Sequence, residues 1–189
     1  MQTQITIKLI AAYALLLGAN AVFAQHAGHS QPAASSAMPT TPTSPYAGEQ
    51  KREIKSLSAS EVKSLQTGAG MSYAKAAELN GFPGPAHVLE HAPALKLSSE
   101  QRAATQALMD HHRPKARLLG EQLVEAERAL DLAFASKQID VDGIDKLTAA
   151  IGALQAQLRA EHLQVHLKQT AMLEPTQIVA YQKLRGYTN

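Results

Sequence analysis

The 189-residue chain has no cysteine and no tryptophan, and aromatic residues make up only 4% of it. The lack of thiols excludes disulfides and any thiolate metal site. With so few aromatic rings, the core has to be built from Leu, Ala, Ile and Val, a composition that suits helices packed on helices. Neither sign of charge dominates: 18 basic residues face 16 acidic ones. That balance gives no reason to invoke a nucleic-acid partner. No sustained alternation of apolar and polar residues with β-branched side chains occurs, so strands are not expected. Beyond Phe23 there is no apolar run long enough to cross a bilayer.

The residues present divide the chain into four parts. In residues 1–24, Lys8 precedes the apolar stretch Leu9 to Phe23, and Val22 and Ala24 occupy the −3 and −1 positions of a cleavage site. This reads as a secretory signal, with Gln25 as the first mature residue. Residues 25–45 are rich in Ala, Ser, Pro, Thr and Gln and carry His26 and His29. Such a segment buries too little to offset its ordering entropy and is expected to be a disordered linker. Residues 46–83 read as short helices. Ser58-Ala-Ser-Glu61 is a capping box, Gly68 and Gly70 interrupt the helix it starts, and a second helix is expected from Met71 to Leu79.

Residues 84–189 read as a helical hairpin. A capping box from Ser98 to Gln101 opens a long helix that contains Pro114, where a kink is expected. Ser136 to Asp140 is the reversal, and Asp140 caps the next helix, which carries Ile144, Leu147, Ile151, Leu154, Leu158 and Val165 as a stripe. Leu173-Glu-Pro-Thr-Gln177 ends it and starts a last helix. The expected fold is all-α: an antiparallel hairpin of two long helices, each of roughly 30–38 residues and about 50 Å long, flanked by shorter helices. Two helices cannot cover both apolar stripes, so a homodimer is expected.

The chemistry of the chain lies in its histidines. Pro83-Gly-Pro-Ala-His87-Val-Leu-Glu-His91-Ala-Pro93 contains H-x-x-E-H, a metalloprotease signature. A protease of that kind needs a well-supported helix in a large α/β domain, whereas Pro85 and Pro93 confine this one to a short turn. No enzymatic activity is expected. Asp140-Val-Asp-Gly-Ile-Asp145 lacks the ligand spacing and terminal glutamate of a calcium loop. His87/His91 and His162/His166 are both i, i+4 pairs, each able to hold one ion from one helical face. An antiparallel hairpin brings both pairs, and Asp110-His111-His112, to its open end. Two readings stand for this cluster: ligands for a divalent transition metal (Ni, Co, Cu or Zn), or histidines that only solvate and pack the helices.

Leu97-Ser-Ser-Glu-Gln101 and Leu173-Glu-Pro-Thr-Gln177 resemble the two LTxxQ motifs of the periplasmic Spy/CpxP-like family and its heavy-metal resistance and sensor branch. The resemblance covers about Gly84 to Tyr187. Ser98 and Glu174 stand in place of the motif's threonine. It implies a hooked helical hairpin that dimerises in the periplasm. In the sensor branch it implies a metal site formed by the H-x-x-x-H pair, here His87 and His91. An acid near Asp110 and a late histidine, best matched by His166, would complete that site. His162 and His111 are the neighbouring candidates. The position implied for the acid falls on Met109, one residue before Asp110. In the other branch the resemblance implies an ATP-independent chaperone whose partners are unfolded clients. A membrane signalling protein is the partner expected of a sensor.

Overall fold

The structure, a computed structural model, describes residues 44–187. The expected signal segment, nearly all of the linker, and His26 and His29 lie outside the described residues. Every regular element among the described residues is helical, as the composition predicts: α1 Ala59–Thr67, α2 Lys75–Glu78, α3 Pro85–Glu90, α4 Ser99–Ala135, α5 Val141–Thr170 and α6 Pro175–Leu184, with one 3₁₀ turn at Glu49–Lys51.

The helix boundaries follow local chemistry. In α1 the Ser58 hydroxyl accepts from the Glu61 amide at 3.2 Å, and the Glu61 carboxylate accepts from the Ser58 amide at 2.8 Å. Gly68, at φ 69°, closes the helix in the left-handed region. The second helix is shorter than the Met71–Leu79 span expected. Residues 71–74 form turns, with Met71 at φ 45°, and α2 occupies only Lys75–Glu78. No side chain caps its start, so nothing extends it toward Gly70. Pro85 is the first residue of α3, where a missing N–H costs nothing, and His91 is its C-terminal cap. Helix α4 runs unbroken through Pro114. Pro114 and Asp110 are both exposed, so water can reach the Asp110 carbonyl that the proline leaves without its helical donor. Asp140 caps α5 by accepting from the Gly143 amide at 2.8 Å.

Helices α4 and α5 form the hairpin, and the segment before residue 84 packs on it. Ile54 and Leu65 join Ala116, Leu119, Leu123, Val124, Ile151 and Leu158 in one buried apolar cluster. At Gly120 the backbone of α1 comes so close that a Cβ there would stand 2.2 Å from the Leu65 carbonyl oxygen. Only glycine permits that approach. A second apolar cluster, Val88, Leu95, Leu173 and Tyr181, joins α3, the chain before α4, and α6.

The two LTxxQ-like motifs meet beside this second cluster, and their glutamines bond to each other. The Gln101 amide donates to Gln177 Oε1 at 2.8 Å, and the Gln177 amide donates to Gln101 Oε1 at 2.9 Å. Each oxygen also accepts from the backbone N–H that starts its own helix, Ser98 at 3.1 Å and Glu174 at 2.8 Å. The remaining amide hydrogens go to the carbonyls of Met172 and Leu95. Both glutamine amides are thus fully satisfied. One residue type at the same place in two motifs caps two helices and ties them together.

Toward the reversal the hairpin thins. Ile144, Leu147 and Leu154 are only half-buried, and Leu132, Phe134 and Val141 are exposed.

Candidate metal centre

Between the two apolar clusters the facing sides of α4 and α5 turn polar. His112 lies four residues from Leu108 and four from Ala116, on the buried stripe of α4; His162 lies four residues beyond Leu158 on α5. Both are buried, and their rings meet edge to face with centroids 4.8 Å apart. Tyr73, from the turn before α2, stacks on His162 with centroids 5.8 Å apart.

Glu161 fixes this layer. It is buried, with Oε2 2.5 Å from Lys115 Nζ and Oε1 3.1 Å from His112 Nδ1. Burial pushes its carboxyl up, but the bonds from Lys115 and His112 outweigh that and hold it below the ordinary carboxylate value. A carboxylate only accepts, so His112 donates through Nδ1–H, and in the neutral ring Nε2 keeps its lone pair. His166 is set the same way: its Nδ1 lies 2.7 Å from the Phe82 carbonyl, which also only accepts. Its free Nε2 faces Gly84, where a Cβ would stand 3.0 Å away. His162 is neutral at pH 7: burial, then the neighbouring His112, lowers its pKa from 6.5 to about 4.

A cleft of about 800 Å³ opens onto these groups. His87, His112, His162, His166 and Glu78 all line it, together with Met71 and Met109. Four side-chain atoms among the described residues are buried without a partner: His162 Nε2, Glu78 Oε2 and both amide atoms of Gln169. The first two belong to residues of the cleft. Unpaired buried polar atoms are costly, and lone pairs left open beside imidazoles suit a cation. As placed, no three His, Asp or Glu side chains among the described residues stand close enough together to hold an ion.

Of the residues singled out by sequence, His87, His162 and His166 share this cleft; His91, His111 and Asp110 do not line it. His87 is held at the surface by Glu90, with Nδ1 to Oε2 at 3.0 Å. His91 is half-buried at the end of α3, and His111 is exposed. Asp110 is exposed, accepts from the Gln106 amide at 2.8 Å, and lines a separate pocket with Arg113 and Arg117. That basic surrounding disfavours a cation. Met109, where the resemblance places the acid, is buried.

Sequence reasoning missed Glu78 and gave Glu161 no role in the site. It also took His111 rather than His112 as a candidate ligand, although the spacing Leu108–His112–Ala116 places His112 on the buried stripe and leaves His111 exposed. Glu78 has no spacing relation to any histidine motif, and only the packing of α2 brings it in.

A family model for heavy-metal resistance matches residues 67–180. The chain belongs to the heavy-metal resistance family. The family match begins at the end of α1, so it takes in Glu78 and every histidine of the cleft. No curated protein and no solved structure matches the chain. No helix among the described residues is long and apolar enough to cross a membrane.

Proposed function

We propose that this protein binds a divalent heavy-metal ion in the histidine cleft and serves to sense or buffer it in the periplasm, without catalysis. One observation carries the reading: in a member of the heavy-metal resistance family, four histidines line one cleft, and the most buried of them has an unpartnered Nε2. Imidazole with carboxylate suits Ni, Co, Cu or Zn. The ion would be held by His162, His166 and His87, the last turning in from its exposed bond to Glu90. The secretory signal read in residues 1–24 would deliver the chain to the periplasm. A second copy, packed on the half-buried stripe of Ile144, Leu147 and Leu154, would complete a dimer.

The test is metal analysis of the mature chain, Gln25–Asn189, after dialysis against micromolar Ni, Co, Cu or Zn. About one tightly held ion per chain is expected, lost in the double variant His87→Ala/His166→Ala. No retained ion, or equal retention by the variant, overturns the reading.

Exposed Leu132, Phe134 and Val141 near the reversal favour a second activity, ATP-independent binding of unfolding clients. Suppression of client aggregation by the metal-free protein at near-stoichiometric ratio tests it, and inactivity argues against it.

A further inference from the structure

We propose that Glu78, on the short helix α2, supplies the carboxylate ligand of the metal site through Oε2, so that the ion joins the segment before residue 84 to the hairpin. This rests on the metal-binding reading above and names the acid that reading lacks.

The two oxygens of Glu78 are used very differently. Oε1 accepts from the Tyr181 hydroxyl at 2.6 Å, the Tyr187 hydroxyl at 3.1 Å and Arg185 Nε at 3.3 Å. Three donors from α6 and the chain after it thus fix the carboxylate plane. Oε2 is buried and has no hydrogen bond. His166 Nδ1 stands 3.7 Å from it but is already committed to the Phe82 carbonyl. The atoms left open are therefore Glu78 Oε2 and His166 Nε2. Both flank Gly84: a Cβ there would lie 3.6 Å from the oxygen and 3.0 Å from the nitrogen. Any side chain at position 84 would crowd the His166 ring and reach the Glu78 oxygen, so the glycine leaves both atoms uncovered on that side. An anchored carboxylate with one free oxygen beside a tautomer-fixed imidazole is the arrangement that outer-shell bonds give to metal ligands.

The other acids at this end are excluded by their partners or by where they stand. Both oxygens of Glu161 are engaged, by His112 and Lys115. Glu90 is exposed and does not line the cleft. Asp110 faces a different pocket, among arginines. A hard oxygen with imidazole nitrogens favours a borderline divalent ion such as Ni(II), Co(II) or Zn(II) over a soft monovalent one.

The experiment is calorimetric titration of the mature chain with Ni(II), beside Glu78→Gln and Asp110→Asn. The amide of Glu78→Gln keeps an acceptor for Tyr181, Tyr187 and Arg185 while removing the anionic donor. We expect its affinity to fall at least about tenfold and that of Asp110→Asn to be unchanged. Hydrogen exchange of Lys75 to Gly84 in the unaltered chain gives an independent readout, with slower exchange expected when Ni(II) is added. It decides the matter should Glu78→Gln lose its helical signal. Wild-type affinity in Glu78→Gln, or Ni(II) binding that leaves exchange of Lys75 to Gly84 unaltered, overturns the assignment of Glu78 while metal binding stands. A wild-type chain that takes up no metal overturns both.

Discussion

The glutamine clasp and the histidine cleft are two polar clusters on one helical frame, and they differ in what they leave open. In the clasp, Gln101 and Gln177 use every amide hydrogen and every oxygen lone pair on each other, on two helix starts and on two carbonyls. Nothing there is left for a ligand. In the cleft, Glu161 and the Phe82 carbonyl fix one nitrogen of His112 and of His166, while His162 Nε2 and Glu78 Oε2 are buried with no partner. A satisfied polar cluster specifies a fold; an incompletely satisfied one gives up stability for a task. The clasp should therefore be needed for folding and dispensable for metal, and the cleft the reverse.

The largest expected effect breaks the clasp. Gln177→Leu removes two cross-bonds and a cap, and strands the Gln101 amide. We expect a loss of roughly 2–4 kcal/mol in urea unfolding at pH 7, with metal affinity unchanged in the folded variant. Acid should act on the cleft instead. His162 has a folded pKa near 4 against 6.5 unfolded, so below pH 6.5 the unfolded chain takes up its proton first. Stability of the metal-free protein then falls as pH drops from 6.5 to 4, by up to about 3 kcal/mol. Glu161, whose carboxyl is held low, adds a further loss below the ordinary carboxylate range. Urea midpoints measured across this range check both. The smallest effect is that of His162→Leu, which replaces an unpaired imidazole with an apolar side chain. Its stability at pH 7 should stay within about 1 kcal/mol of wild type, and the decline between pH 6.5 and 4 should flatten. A loss as large as that of Gln177→Leu would erase the distinction between the two clusters.

The frame was legible because its signals are local. Capping at Ser58, Ser98 and Asp140, Pro85 at a helix start, and the 3.6-residue stripes of α4 and α5 each act within a turn or two of chain. Helix α2 was overextended because Met71 takes a left-handed conformation that its residue type does not announce. For the site, antiparallel pairing was enough to bring His87, His162 and His166 to one cleft. It could not separate His111 from His112, which differ by 100° around α4, without the Leu108–Ala116 stripe being used as the reference. Nor could it find Glu78, which reaches the cleft through the close approach of α1 to Gly120 and the packing of α2 on α5. Contacts made between elements distant in sequence leave no periodicity to read.

The most direct test titrates Ni(II) and Zn(II) into the mature wild type, Gln177→Leu and His162→Leu/His166→Ala, with stability measured on the same samples. Micromolar or tighter binding is expected in the first two, loss of that binding in the third, and a large loss of stability only in Gln177→Leu. Undiminished binding by His162→Leu/His166→Ala, or binding by no sample, would contradict this expectation.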